Sequence, residues 1–322
     1  MLTHDEVVWG YRYILGRDPE NDGIVSSTAA AVQDVEAFRQ ILLRSPEFER
    51  LSIQNRASWF AESRWVAAPV FGGARLLWLD LSDRYVSLGC LQGQYEIAET
   101  RFISGVLKPD DVFVDVGANI GWYTLLASTI IGNRGHVHAF EPRRPIVEYL
   151  QQTVALNALE ELVNIYPVGL SNEAKSETLM WGAASDNGGG ASLARGDPLA
   201  GMAYQTIEVQ PLDSLNLDHV DVIKIDVEGA EPLVVEGAKA TIERDRPIIL
   251  TEILPSQLQR VCGCSPQPYF DFFHSRHYRG YIVDGVRCGE EVKSFPASWD
   301  KVLVNIGFIP EERTVDSSIF GT

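Results

Sequence analysis

Apolar and polar positions follow a regular strand–helix order along the middle and C-terminal parts of the chain. Short apolar runs with strand character occupy residues 75–81, 112–116, 135–140, 163–168, 176–181, 205–210, 220–225, 247–253, 281–283 and 301–306. Stretches with helical apolar spacing occupy residues 96–106, 121–131, 145–156, 231–243 and 269–276. Strands that alternate with helices form a mostly parallel sheet with helices on both faces. The pattern therefore predicts an α/β fold.

The N-terminal part of the chain has a different pattern, which predicts a small all-α domain. The segment Thr3–Glu6 has the sequence of a capping box, in which a hydroxyl accepts an amide and a Glu three positions later returns the bond. Asp34 is suited to cap a second helix. We therefore predict a helical module over residues 1–55, a connector over 56–74 and the α/β domain over 75–322. So short a helical unit buries little apolar surface alone, and we expect it to pack on the rest of the chain or on a partner.

Composition and charge exclude several classes of function. The chain has 27 Lys and Arg against 44 Asp and Glu, a net charge of −17, so phosphate backbones and anionic lipid repel it and we expect no nucleic-acid partner. No apolar run approaches the roughly 20 residues of a membrane-spanning helix, so we expect no membrane span. The N-terminus lacks the pattern of a secretory signal, and four cysteines in 322 residues are no disulfide framework. These features predict a cytoplasmic protein.

A glycine-containing loop, Asp115–Gly121, joins the predicted strand 112–116 to the helix after it. Gly117 permits a tight turn next to a ligand, and Gly121 permits close packing of the helix. The spacing differs from that of a dinucleotide site, because Asn119 stands where that site needs a glycine for the pyrophosphate. The loop therefore argues against the alternative of an NAD-dependent oxidoreductase.

Two acidic residues indicate which ligand this loop binds. Asp115 comes two residues before Gly117, where it disfavours a diphosphate and favours an ammonium group. Glu141 follows the next strand, twenty residues after Gly121, and an acid at this place hydrogen-bonds ribose hydroxyls. A nucleoside that carries an amino-acid tail and no phosphate satisfies both acids. S-adenosylmethionine is such a ligand, and we predict it as the cofactor.

A second group of acids is predicted at the same edge of the sheet. Asp226 and Glu228 follow the strand 220–225, and Glu252 lies in the strand 247–253 near its end. Ligands of open α/β sheets bind beyond the carboxyl ends of the strands. We expect one of these carboxylates to remove the proton of an acceptor hydroxyl, in the order of preference Asp226, Glu228, Glu252. In the alternative, Asp226 caps a turn, Glu228 interacts with a helix dipole and Glu252 caps a loop.

The sequence assigns no metal ligands. Cys262–Cys264 is a C-x-C pattern rather than the C-x-x-C of most zinc sites, and His136 and His138 share a strand face without an evident third ligand. A divalent ion held by the carboxylates after the fourth and fifth strands could instead lower the pKa of the acceptor hydroxyl. The sequence leaves this alternative open.

From about Asp80 to Pro310, the chain resembles FkbM-type S-adenosylmethionine-dependent methyltransferases. The matching motifs, in family order, are Gly93–Glu96 with Glu99 and Thr100, Asp115–Gly121, Phe140–Pro142, Asn187–Leu193, Pro211–Leu215 and Lys224–Glu231. The resemblance implies a Rossmann-like methyltransferase sheet with an antiparallel last strand, at about 301–306. It also implies cofactor contacts from Tyr95, Glu96, Asp115, Gly117, Ala118, Asn119, Gly121, Glu141, Pro142, Ser171 and Asp226. The implied activity is O-methylation, often of sugars or of natural-product scaffolds.

The segments Tyr13–Glu20 and Ser45–Phe48 are similar to a short helical module of bacterial proteins, some of which are associated with surface glycans. This association favours a hydroxyl of a sugar or glycan, in a bacterial polysaccharide or glycoside, as the methyl acceptor. A non-sugar natural-product scaffold is the alternative acceptor, and a non-catalytic binding protein on the same fold is a further alternative. We expect the module to support a homodimer or to bind a partner in glycan synthesis.

Overall fold

The computed structural model describes residues 2–15, 17–43, 45–47, 65–182, 189–196, 199–284, 289–299, 301–315 and 317–320. The chain divides into two compact units, Met1–Arg64 and Trp65–Thr322. Residues 65–74, which the sequence assigns to the connector, form a strand and a turn of the second unit. In the described part of the chain, no helix has the length and apolar character needed to cross a membrane.

The first unit is helical, as predicted. It consists of α1 (His4–Gly10), a π-helical turn (Tyr11–Leu15), α2 (Asp22–Ala31) and α3 (Val35–Leu43). The capping box of Thr3 and Glu6 is present at the start of α1. Asp34 caps α3, because its Oδ1 accepts a hydrogen bond from the Ala37 N–H at 2.8 Å. The buried apolar side chains of this unit are Leu2, Val7, Leu15, Val25, Phe38 and Leu42.

The second unit is built on one large mixed sheet. Its strands are β3 (Val112–Val116), β4 (His136–Phe140), β5 (Val163–Tyr166), β10 (Val222–Ile225), β11 (Ile248–Ile253), β12 (Tyr278–Ile282), β13 (Glu291–Val292) and β14 (Val304–Pro310). Their order across the sheet is β13-β12-β14-β11-β10-β3-β4-β5. The five strands from β11 to β5 are parallel, whereas β14 is antiparallel to both of its neighbours. This is the predicted Rossmann-like arrangement with an antiparallel last strand.

Helices cover both faces of this sheet. They are α4 (Val86–Gln92), α5 (Ile97–Val106), α6 (Trp122–Ile130), α7 (Arg144–Leu156), α8 (Glu231–Gly237), α9 (Lys239–Asp245), α10 (Pro255–Cys262) and α11 (Gln267–His274). Successive residues of a strand point to opposite faces, so Phe113 joins one apolar cluster while Val114 and Val116 join another. Side chains such as these are fully buried, and each stabilises the fold by about 1.5–3 kcal/mol relative to exposure.

The predicted helix over 231–243 is two helices, which meet at Ala238. Gly237 lies so close to the Ser171 backbone that an added Cβ would stand 1.9 Å from its carbonyl oxygen. The second helix, α9, has its own cap, because Asp213 accepts hydrogen bonds from the Ala240 and Thr241 N–H groups. A cap supplied by a side chain distant in sequence explains why spacing alone did not reveal the break.

Two smaller sheets complete the second unit. A hairpin of β1 (Trp65–Val70) and β2 (Arg75–Asp80) contacts α7, where Trp65 stacks on Tyr149 at 3.4 Å between ring centroids. A four-stranded sheet has the order β6-β9-β7-β8. Its strands are β6 (Gly169–Leu170), β7 (Lys175–Gly182), β8 (Ser192–Leu193) and β9 (Met202–Gln210). Of these, the sequence predicted only parts of β7 and β9. This sheet forms one apolar wall of the cavity described next.

Candidate functional site

A cavity with a volume of about 270 Å³ opens beyond the carboxyl ends of the parallel strands. Loops that follow β3, β4 and β10 supply its polar wall, as the position of ligand sites in open α/β sheets predicts. Ten residues predicted as site residues line it: Tyr95, Glu96, Gly117, Ala118, Asn119, Glu141, Pro142, Asp226, Glu228 and Glu252. Leu170, Leu179, Leu193, Ile207 and Val209 supply an apolar wall. The cavity therefore combines an acidic end with an apolar surface.

Gly117 is placed where only a glycine fits. Its φ is +83°, and an added Cβ would stand 2.0 Å from the carbonyl oxygen of Asp226. The N–H groups of Gly117 and Ala118 both donate to the carbonyl of Phe140, at 3.0 and 2.9 Å. The backbones that follow β3, β4 and β10 are thus in direct contact. This contact places the side chains of the three loops around the same cavity.

Glu141 joins the loops after β3 and β4. Its Oε2 accepts a hydrogen bond from the Asn119 N–H at 3.0 Å, and its Oε1 accepts one from the Arg143 N–H at 2.9 Å. Burial raises the pKa of Glu141 to about 7, although both N–H donors lower it. Each carboxylate oxygen has a second lone pair, so Glu141 can also accept hydrogen bonds from ligand hydroxyls.

Three predicted cofactor contacts do not line the cavity. Asp115 is fully buried, its Oδ2 accepts a hydrogen bond from the Thr124 hydroxyl at 2.7 Å, and its Oδ1 has no partner among the described residues. Gly121 faces α7, where an added Cβ would stand 2.7 Å from Leu150. Ser171 is buried, and its backbone carbonyl packs against Gly237 of α8. These residues support the loops rather than form the cavity surface.

The three candidate bases lie together. Asp226, Glu228 and Glu252 each place a carboxylate oxygen within 4.8 Å of the other two. Within the described ranges, they are the acids whose spacing fits a metal ion, and carboxylate oxygens are the ligands that Mg²⁺ prefers. The sequence assigned no metal ligands but left this cluster open to a divalent ion. The structure brings the required oxygens together.

The carboxyl groups of this cluster differ in their surroundings. Burial, followed by the charge of Asp226, raises the pKa of Glu228 to about 7, and Gln257 donates a hydrogen bond to Glu228. Burial together with the charges of Asp226 and Glu228 raises the pKa of Glu252 well above its ordinary value. Glu252 therefore keeps its proton at neutral pH and can act as a hydrogen-bond donor.

Lys224 is a cavity residue to which sequence reasoning assigned no function. Its Nζ lies 2.8 Å from Asp226 Oδ2 and 4.5 Å from the centroid of the Tyr123 ring. The sequence contains a signal for it, because Lys224 is charged within the otherwise apolar run Val222–Ile225. A lysine in a buried strand needs a partner of opposite charge. Its position two residues before Asp226 points to that partner.

The segment before α5 closes the acidic end of the cavity. Glu96 has a left-handed backbone with a φ of +41°, and its Oε2 accepts a hydrogen bond from the Tyr123 hydroxyl at 2.6 Å. Tyr95 packs edge-on against Trp122, with 5.8 Å between the ring centroids. Tyr85 also lines the cavity, and 63 % of its surface is exposed. The cavity lining therefore includes an accessible aromatic ring.

Comparison with known proteins gives matches of three kinds. The model of the methyltransferase FkbM domain matches residues 115–288. The AMB antimetabolite synthetase AmbE of Pseudomonas aeruginosa is 28 % identical over 230 residues, which are 59 % of this chain and 10 % of that protein. The chain thus spans about a tenth of the length of this curated relative.

Two solved structures are similar to this chain at low sequence identity. The methyltransferase FkbM from Methylobacillus flagellatus is 15 % identical with a TM-score of 0.41, and the match covers 90 % of this chain and 61 % of that one. A SAM-dependent O-methyltransferase from Thermotoga maritima is 13 % identical with a TM-score of 0.37, and the match covers 68 % and 67 % of the two chains.

Proposed function

The chain belongs to the FkbM methyltransferase domain family, and we propose that it is an S-adenosylmethionine-dependent O-methyltransferase acting on a hydroxyl of a sugar or glycan. The observation that carries this proposal is the meeting of two acidic groups in one cavity. Glu141 stands beside the loop of Gly117, and Asp226, Glu228 and Glu252 stand beyond it. The first group suits a ribose, and the second suits an acceptor hydroxyl.

The residues of the cavity fit S-adenosylmethionine. Glu141 has free lone pairs for ribose hydroxyls, and the loop residues Gly117, Ala118 and Asn119 line the cavity beside it. Among the residues that the structure describes, the lining contains five carboxyl groups and two cations, Lys224 and Arg143, which suits a ligand with a sulfonium and an ammonium group. The holding residues would be Tyr95, Glu96, Gly117, Ala118, Asn119, Glu141, Pro142 and Asp226. When bound, the cofactor supplies an electrophilic methyl group on sulfur.

The residues of this chain then orient the acceptor and accept its proton. Asp226 is the first candidate for the base, because it lies in the cavity wall as a carboxylate beside an ammonium group. Asp226 would accept the proton that the acceptor hydroxyl loses. Glu252, which keeps its own proton, donates a hydrogen bond to a neighbouring oxygen of the acceptor. Glu228 is the second candidate base.

A sugar suits this end of the cavity. Carboxyl groups from Asp226, Glu228 and Glu252 can each bond one of several adjacent hydroxyls, and the exposed ring of Tyr85 offers a face for the apolar side of a sugar ring. The similarity of the N-terminal helical module to modules of glycan-associated proteins also supports this acceptor class.

A natural-product scaffold is the second candidate acceptor. The matching relative is named as an antimetabolite synthetase, and the apolar wall of Leu179, Leu193 and Ile207 suits a less polar acceptor. Methyl transfer from radiolabelled S-adenosylmethionine to a panel of deoxysugar glycosides, compared with a panel of hydroxylated scaffolds that carry no sugar, separates the two. Label in the glycosides supports the proposal, provided that the Asp226→Asn variant transfers at least about 100-fold less. Label only in the scaffolds without a sugar favours the second candidate.

A further inference from the structure

We propose that Lys224 is a positioning residue of the reaction, whose ammonium group holds the Asp226 carboxylate in place and aims it as the base. This inference rests on the proposed function. It assigns a function to a buried lysine and selects one base among three neighbouring acids.

The first support is the geometry of the pair. Lys224 and Asp226 are two residues apart at the end of β10, so their side chains project from the same face. The Nζ–Oδ2 distance of 2.8 Å is that of a charge-assisted hydrogen bond. Only 7 % of the Lys224 side chain is exposed, against 20 % of the Asp226 side chain. The ammonium group is thus enclosed, whereas the carboxylate reaches the cavity.

A second contact fixes Lys224 from the other side. Its Nζ lies over the ring of Tyr123, at 4.5 Å from the centroid, which is a cation–π distance. The Tyr123 hydroxyl donates to Glu96, so the ring is itself held in place. Lys224 therefore has a defined direction, and the oxygen of Asp226 that it binds is fixed with it.

The surrounding charges explain why Lys224 stays an ammonium group. Burial alone would lower the pKa of Lys224, but Asp226, Glu96 and Asp115 raise it above its ordinary value. Glu99, Glu228 and Glu252 also interact with its charge. Lys224 consequently cannot accept the acceptor proton near neutral pH.

The same surroundings distinguish Asp226 from its two neighbours. Glu228 accepts a hydrogen bond from Gln257, and Glu252 keeps its proton at neutral pH. Asp226 is the member of the cluster that has the ammonium group at hydrogen-bond distance. A carboxylate fixed through one oxygen keeps the other oxygen for the acceptor hydroxyl.

The test compares Lys224→Met, which removes the charge, with Lys224→Arg, which keeps it. Lys239→Met, at an exposed lysine of α9, is the matched control. We expect Lys224→Met to lower kcat about 100-fold and to move the acidic limb of the kcat–pH profile upward by about one to two pH units. Lys224→Arg should bring the limb back towards its original pH. The control Lys239→Met should leave kcat and the dissociation constant of S-adenosylhomocysteine within about threefold of wild type, a change of about 0.6 kcal/mol.

Two further measurements separate positioning from a structural effect. In the Asp226→Asn background, Lys224→Met should lower kcat less than about threefold, because it acts through Asp226. In the absence of substrate, the loss of Tm between pH 5 and pH 8 should be larger for Lys224→Met than for wild type, because buried carboxylates lose their cation on ionising. The second readout does not need an active enzyme.

Three results would overturn the inference. The first is an acidic limb that stays in place in Lys224→Met. The second is an equal loss of kcat in the Met and Arg variants without any movement of the limb. The third is activity that EDTA abolishes and Mg²⁺ restores, because a metal ion would then be the cation of this cluster. A wild-type protein that neither binds S-adenosylhomocysteine nor transfers methyl groups would instead refute the proposed function, and the Tm comparison would still test the pair.

Discussion

The acidic residues at the two ends of the large sheet have opposite surroundings: those at the amino ends are paired, and those at the carboxyl ends are crowded together. At the amino ends of the strands, Asp221 accepts hydrogen bonds from the Val112 N–H at 3.0 Å and pairs with His219 at 2.9 Å. Asp245 pairs there with Arg244 at 2.6 Å. At the carboxyl ends, Asp226, Glu228 and Glu252 crowd within 4.8 Å of one another. Lys224 is the ammonium group that bonds to this cluster.

Under the proposed function, the amino ends of the strands serve stability and the carboxyl ends serve the reaction. Burial would raise the pKa of Asp245, but its bonds with Arg244 lower it below the ordinary value, so folding favours the ionised form. Burial and neighbouring charge raise the pKa of Glu228 to about 7 and that of Glu252 further, so folding opposes their ionised forms. A fold maintains such unfavourable crowding where a ligand or a proton transfer relieves it.

The largest expected effect comes from replacing one aspartate at each end of the sheet by asparagine. Asp226→Asn should lower kcat at least about 100-fold, because the amide cannot accept the acceptor proton, and it should lower the free energy of unfolding by about 3 kcal/mol, because the buried Lys224 ammonium group loses its partner. Asp221→Asn should keep kcat but lower the free energy of unfolding by about 1–3 kcal/mol, since it weakens bonds to Val112 and His219. Radiolabel transfer measures kcat of the two variants, and thermal unfolding measures their stability. Full turnover by Asp226→Asn would reject it as the base.

The next largest effect is the loss of stability on replacing a glycine by alanine at each end of the sheet. Gly117→Ala should destabilise the protein by about 3 kcal/mol or more, because φ is +83° and the Cβ would stand 2.0 Å from the Asp226 carbonyl oxygen. Gly132→Ala, before β4, is the matched control. Its φ is +67° with no atom within 4 Å of the added Cβ, so we expect about 1 kcal/mol. Urea unfolding measures both, and equal losses would contradict the close contact of the two loops.

A smaller effect is expected for cofactor affinity. Glu141→Gln should weaken the binding of S-adenosylhomocysteine about tenfold, because neutral hydrogen bonds to the ribose replace charge-assisted ones. Asp245→Asn, at the other end, should leave the dissociation constant unchanged. Isothermal titration calorimetry tests both variants. Unchanged affinity in Glu141→Gln would remove Glu141 from the cofactor site.

The smallest effect is the pH dependence of stability without ligand. Burial is the main cause that raises the pKa of Glu99, Glu141, Glu228 and Glu231 to about 7 each. The folded state therefore binds more protons than the unfolded state between about pH 4.5 and pH 7, and stability falls as pH rises through this window. We expect the Tm to drop by about 5 °C or more from pH 5 to pH 8. A Tm that rises over this range would mean that the acids are ionised in the folded protein.

The sequence predicted the sheet better than its edges. The strand at residues 112–116 has its predicted bounds, because a buried apolar run ends there at a glycine loop. In contrast, β1 was assigned to the connector. It contains Pro69 and is held by pairing with β2 and by the stack of Trp65 on Tyr149. Trp65 and Tyr149 are far apart in the sequence, so their contact leaves no local sequence pattern from which β1 could be predicted.

The residues of the candidate site were likewise predicted only in part. Glu141 and Asp226 were predicted because each directly follows a parallel strand, and the topology of the sheet alone brings such residues to one edge. The direction of a side chain was not predictable in the same way, and Asp115 turns to Thr124 on α6 rather than to the cavity. The sequence pattern assigns no function to Lys224, because only the fold sets the distances from Lys224 to Asp226 and Tyr123.

The most direct test of the account is the titration of S-adenosylhomocysteine into the purified wild-type protein, with NAD in a parallel titration. We expect one site per chain with micromolar affinity and no heat from NAD. Heat from NAD alone, or none from either ligand, would contradict the assignment of the cavity to an adenosyl methyl donor.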